Sequence, residues 1–102
     1  MLQTYKIWSG TRTWLPGDDT GKYTVIEIVA EELGWFEDVN PDGFSGTAYY
    51  VYRAESGEII INVVNKNYGI GEPSRAVIYR FSNLDEAAQS EQRYALEELR
   101  LI

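Results

Sequence analysis

Between Asp38 and Ser45 the chain reads Asp-Val-Asn-Pro-Asp-Gly-Phe-Ser. Oxygen ligands at alternate positions followed by a glycine at a sharp bend are what the first half of a calcium loop requires. The second half departs from that pattern. Its twelfth position is Tyr49 rather than a bidentate glutamate, and Pro41 stiffens the loop. Asn, Pro, Asp and Gly together also simply make a turn, and no metal site is assigned. Gly17-Asp-Asp-Thr-Gly21-Lys22 resembles a phosphate loop at a glance. It is one residue short between its glycines, and Asp18 and Asp19 would repel a phosphate. Gly69-Ile-Gly71-Glu-Pro-Ser74 is too short and too acidic for dinucleotide binding.

The chain has no cysteine and no histidine. That removes disulfides, thiolate nucleophiles, Cys/His zinc sites, Ser-His-Asp chemistry and a histidine pH switch. Paired carboxylates could still run glycosidic acid/base chemistry, but only where two of them converge in a cleft. The expectation is a protein that is not an enzyme and carries no cofactor.

Charge is the more informative signal. The net charge is −7 over 102 residues. From Tyr23 through Tyr52 there is no Lys or Arg, while Glu27, Glu31, Glu32, Glu37, Asp38 and Asp42 fall in that stretch. Such a surface repels nucleic acid and anionic membranes and attracts a basic partner. Trp35, Phe36 and Phe44 lie among these acids and would supply aromatic anchors. Trp14 and Tyr68, in two glycine-punctuated stretches, are secondary contact candidates.

The elements that must position these residues follow from periodicity. One domain, 1–102, fits the length, and 44% hydrophobic and 14% aromatic residues argue for a packed core. Thr4 to Ser9 reads as a strand with Tyr5 and Ile7 on one face. The following stretch to Gly21 reads as a loop by its Gly and Pro breakers. Lys22 to Leu33 reads as a helix: Tyr23, Val25, Ile26, Val29, Ala30 and Leu33 share an arc, the glutamates oppose them, and only Ile28 is misplaced. Strand alternation would put Val25, Glu27, Val29 and Glu31 on one face. Gly34 suits the C-terminal cap of such a helix.

Thr47 to Val64 reads as a hairpin about a two-residue Ser56-Gly57 turn. That register pairs Tyr52 with Ile61 and Tyr50 with Val63. It sets Tyr50, Tyr52, Ile59, Ile61 and Val63 on one face, and Tyr49, Val51, Arg53 and Asn62 on the other. Arg75 to Ser82 is another strand. A final helix starts near Leu84, with Asn83 and Glu86 as a capping box. Glu91 and Glu98 beside its apolar stripe could pair with Arg53 and Arg80.

The expected fold is therefore a single α+β domain in the order β-α-β-β-β-α, with a mainly antiparallel sheet of about four strands and two helices. The expected function is a small cytoplasmic binding module engaging a basic protein partner, nucleic-acid-binding proteins being one such class, through an acidic helix and loop. Immunity-type proteins and DNA-mimic phage inhibitors of defence share this charge and size, by analogy alone. The alternative is a homo-oligomeric structural or small-ligand-binding domain using a Tyr49/Val51/Ile78 sheet face. Neither reading calls for direct nucleic-acid or membrane contact, and the second includes a homodimer.

Overall fold

In a computed structural model, the chain is described at all residues except 16–17 and 68–71; of residues 14, 15, 18 and 19 only the backbone is considered. Five strands close into an antiparallel barrel: β1 (Gln3–Leu15), β2 (Asp18–Val39), β3 (Ser45–Ala54), β4 (Ile59–Asn67) and β5 (Ser74–Phe81). Two short helices follow, α1 (Leu84–Ala88) and α2 (Arg93–Glu98). Every strand pairs with its neighbour in sequence, and β5 returns to β1 through Gly10–Ala76, Thr11–Arg75 and Arg12–Ser74 alone.

This overturns the α+β order. The largest change is at Lys22 to Leu33, which is strand, not helix. Ile28, the residue a helix misplaces, is 6% exposed. It opposes Tyr5, and Ile26 opposes Ile7. Together with Ala30 they form a three-residue inward face on the 2.0 period of a strand. The opposite face holds Glu27 and Glu31 with Val25 and Val29, and both valines lie largely in solvent. The Gly10 to Gly21 stretch is likewise not a loop: its described residues extend the β1–β2 ladder out to Leu15–Asp18. Gly10 tolerates this because its φ is +117°, and a Cβ there would lie 2.3 Å from the Lys22 carbonyl oxygen. Arg12 covers the nearby Tyr23 ring at 4.4 Å.

The hairpin at Thr47 to Val64 is present, one residue out of the expected register. Tyr52 opposes Ile60, Tyr50 opposes Asn62 and Val51 opposes Ile61. The turn is three residues, Glu55-Ser56-Gly57. Gly57 donates to the Ala54 carbonyl, Ala54 donates to the Glu58 carbonyl, and Gly57 has a φ of +94°. This is the type I turn with a glycine bulge.

Both faces of the hairpin are buried. Tyr52, Ile60, Ala48 and Val64 look into the barrel with Ile7, Ile28, Ala30 and Ala76. Val51, Ile59 and Ile61 look outward and are fully covered by Ala87 of α1 and Ala95 and Leu96 of α2. The Tyr49/Val51/Ile78 face is therefore no docking surface: Tyr49 and Val51 lie under the helices, and Ile78 belongs to the opposite face.

The C-terminal helix is two short helices. Asn83 caps the first as expected, its Oδ1 accepting from the Glu86 N–H at 2.8 Å. Ser90 then accepts from the Gln92 N–H while donating to the Ala87 carbonyl. Arg93 donates to the Ala88 carbonyl at the end of α1. These bonds satisfy helix-end groups that a continuous helix would have used internally. The expected Arg–Glu pairs do not form: Arg53 meets Glu31 at 3.7 Å, and Arg80 grips Glu58 through two bonds.

Asn62 holds the place where the barrel seam runs out. It is 3% exposed. Its amide donates to the carbonyl oxygens of Trp8 at 2.9 Å and Val77 at 3.1 Å. Those carbonyls lie just beyond the last β1–β5 backbone pair. A side chain from β4 thus supplies the donors that the ladder no longer provides.

Candidate interaction surface

The acidic residues singled out from sequence do not form one face. Glu27 and Glu31 point outward from the first half of β2. Glu31 is shared between Arg53 and the N-terminal ammonium, at 3.7 and 3.8 Å. Glu32 lies on the opposite strand face, across from Tyr52.

A bulge then resets the strand. Glu32 opposes Tyr52 and Gly34 opposes Val51, so Leu33 is the extra residue. Leu33 packs under the C-terminal helices. Gly34 has a φ of +149° and lies beneath Leu99, whose Cδ2 would be 3.0 Å from an added Cβ. The glycine read as a helix cap is the bulge that lets α2's flank close on the sheet.

Beyond the bulge, alternation places Trp35, Glu37 and Val39 on one face, opposite Tyr50, Ala48 and Gly46. Trp35 stacks on Tyr50, with centroids 5.8 Å apart and planes at 17°, and is still 55% exposed. Glu37 pairs with Lys66 at 3.1 Å, and both are half-buried. Burial opposes the Lys66 charge, but its bonds to Glu37 and the Tyr50 phenol outweigh it and hold its pKa above the ordinary lysine value.

Phe36 and Asp38 take the other face. Phe36 stacks on Tyr49 at 4.9 Å, and both rings meet Tyr94 edge-on. The Asp38 carboxylate accepts the Tyr94 hydroxyl at 2.6 Å. That bond, with lesser contributions from desolvation and neighbouring charges, pushes the Tyr94 phenol up to about 12. Phe36 and Asp38 thus both hold Tyr94 of α2.

The calcium-like stretch is a turn. Asp42 accepts from the Phe44 N–H, Asn40 donates to the Ser45 hydroxyl, and Gly43 has a φ of +74°. Asp42 and Ser45 thus brace the bend between β2 and β3 while Asp38 is engaged by Tyr94, and among the described residues no His, Cys, Asp or Glu cluster is arranged to hold a metal. Phe44 projects from this bend at 69% exposure.

Of the sequence-derived residues, then, Trp35, Asp42 and Phe44 share the β2–β3 end of the barrel in the open, and Glu37 lies between them in its ion pair. Val39, which sequence reasoning passed over, joins them as an exposed apolar side chain. Its signal was its place two residues after Glu37 and four after Trp35 on a strand period. Tyr68 and the side chain of Trp14 lie outside the described residues, as do residues 69–71 of the second glycine-rich stretch.

No protein-family model matches this chain, and comparison with curated proteins and with solved structures found no significant match. Among the described residues no helix is long and apolar enough to cross a membrane.

Proposed function

We propose that this chain is a protein-binding module, and that the β2–β3 end of its barrel is the face that engages a basic partner. One observation carries this reading. Trp35, Val39 and Phe44 are all more than half exposed within ten residues of chain, with Glu37 between the first two and Asp42 beside the third, in a stretch with no Lys or Arg between Tyr23 and Tyr52. Exposed apolar side chains in isolation are ordinary, but a large aromatic held rigid by stacking and rimmed by charge is the make-up of an interface anchor. Trp35 is held in that way by Tyr50. The acidic rim raises the rate of encounter with a positively charged surface and makes it salt-dependent. An inhibitor or immunity-type role is one way such a face is used.

The test pairs capture with substitution. A partner is recovered from host extract on the wild-type chain, and its affinity is then measured calorimetrically against variants. Trp35→Ala with Phe44→Ala should weaken binding at least about a hundredfold. Asp42→Lys should slow association and flatten its salt dependence. Glu27→Lys with Glu31→Lys, on the far face of β2, should leave binding unchanged. Equal affinity for the wild type and the Trp35/Phe44 variant sinks this reading.

A further inference from the structure

Inside the barrel, between β1 and the β3–β4 pair, lies a cleft of about 280 Å³. That is near the lower end of the range for small-molecule sites. Its chemistry runs against the rest of the molecule. In a chain of net charge −7, the lining carries Lys6 and Lys66 and no carboxylate. Trp8 stands on the β1 side and Tyr50 and Tyr52 on the β3 side, with Ile7 and Val64 completing an apolar floor. Tyr52 is itself braced by Tyr5, their centroids 5.0 Å apart.

Asn62 supplies the second independent feature. Both of its amide hydrogens are used on the Trp8 and Val77 carbonyls. Its Oδ1 accepts no hydrogen bond from the described residues. Among the described residues no side-chain oxygen or nitrogen is both sealed from solvent and unpartnered, so this oxygen is reachable, and Asn62 lines the cleft. A nearly buried acceptor with its donors already committed can take an N–H or O–H from whatever enters. Leaving it without a donor in a dry site costs free energy, which makes it a selective contact.

We propose that this cleft binds a small planar organic monoanion: an aromatic ring between Trp8 and the two tyrosines, an N–H or O–H donated to Asn62 Oδ1, and one carboxylate facing Lys6 and Lys66. Two features set the charge at one. Lys66 is already partly neutralised by Glu37 at 3.1 Å, and Glu32 sits opposite Tyr52 on the adjoining strand, which disfavours a dianion. The site does not depend on the Trp35 face binding a protein.

The experiment is a two-dimensional amide NMR titration of the full chain with 4-hydroxybenzoate, which has the ring, the single carboxylate and a hydroxyl donor. Saturable shifts are expected at Tyr50, Tyr52 and the Asn62 side-chain amide, with a Kd below about 1 mM. The neutral isostere 4-hydroxybenzamide should bind about tenfold more weakly, as should 4-hydroxybenzoate to Lys6→Met. Lys6 is exposed, so that variant folds; Lys66→Met is the second probe. Inorganic phosphate, without a ring and with more charge, should produce no saturable shift. Phe44→Ala should leave 4-hydroxybenzoate binding unchanged, which separates this site from the protein-binding face. Absence of saturable shifts up to about 10 mM overturns the proposal, and so does equal affinity for the amide and the acid or for phosphate.

Discussion

The side-chain amide of Asn62 lies 2.9 Å from the main-chain oxygen of Trp8, joining β4 to β1 across the barrel interior. The same amide reaches the Val77 oxygen on β5, so one residue binds both sides of the seam. Replacing it with Leu removes two bonds and strands two carbonyls, at a cost of about 2–4 kcal/mol in urea unfolding. Asp is more telling. A carboxylate there faces two carbonyl oxygens, so Asn62→Asp should be the less stable of the two at neutral pH and should recover as pH falls and the carboxyl gains a proton to donate. If Asn62→Asp loses stability on acidification instead, the bridging role is wrong.

The α2 helix is held by a fully buried Leu96 over Val51, Ile59 and Ile61. Leu96→Ala leaves a cavity where the helix meets the sheet and should cost about 2–5 kcal/mol. Its unfolding should remain a single transition, because the covered face is half of the hydrophobic core. The check is chemical denaturation followed by tryptophan fluorescence and circular dichroism together.

Gly34 should tolerate nothing larger. Alanine there must hold a φ of +149° with its Cβ 3.0 Å from Leu99. Gly34→Ala should destabilise by about 1–3 kcal/mol, and pairing it with Leu99→Ala should recover part of that loss. A double-mutant cycle with no coupling would separate the strain from the contact.

Alkaline pH should weaken the fold. Burial, then the charges of Glu32 and the neighbouring tyrosines, pushes the Tyr52 phenol from 10.0 to about 12. Between those values the unfolded chain has released a proton that the folded chain retains, so stability falls as pH rises through that window. Tyr52→Phe should flatten this dependence. Glu58 works in the opposite range: its two bonds to Arg80 hold its carboxyl below the ordinary value. That contribution is present above the unfolded pKa and lost as pH falls through the folded one. Both side chains are partly in water, so Glu58→Gln should cost only about 0.5 kcal/mol at neutral pH.

The elements with one unambiguous period were legible. The first strand's Tyr5/Ile7 face, the existence of the Thr47–Val64 hairpin, the strand after Ser74 and the Asn83 cap all stand in the structure. What misled was β2. Over Lys22 to Leu33 its apolar inward face is Ile26, Ile28 and Ala30, while Val25 and Val29 lie on the solvent side with Glu27 and Glu31. With apolar residues on both faces, a 3.6 period fitted almost as well as a 2.0 period. Reading Ile28 as the misfit hid the decisive residue. The hairpin register failed for a related reason. Both of its faces are buried, one in the barrel and one beneath α1 and α2, so polarity could not choose between registers one residue apart. The same slip grouped Asn62 with Tyr49, Val51 and Arg53, and nothing local corrects it because its partners, Trp8 and Val77, are distant in sequence.

The acidic stretch was legible as composition and not as a surface. Its counter-charges, Arg53, Lys66 and the N-terminal ammonium, arrive from outside it. Of the three aromatics among these acids, Trp35 and Phe44 are exposed, whereas Phe36 packs against Tyr49 and Tyr94.

The meander also sets an order of events. Four of the five ladders join strands that follow one another in sequence, so they can zip outward from the β3–β4 turn with short loops to close. The three pairs at Gly10 to Arg12 are different, because they need the two ends of the sheet to find each other. Closure is therefore expected to follow the rate-limiting barrier. Substitutions at Asn62 should speed unfolding and leave the refolding rate nearly unchanged in stopped-flow kinetics, while changes at the Gly57 turn should act mainly on refolding.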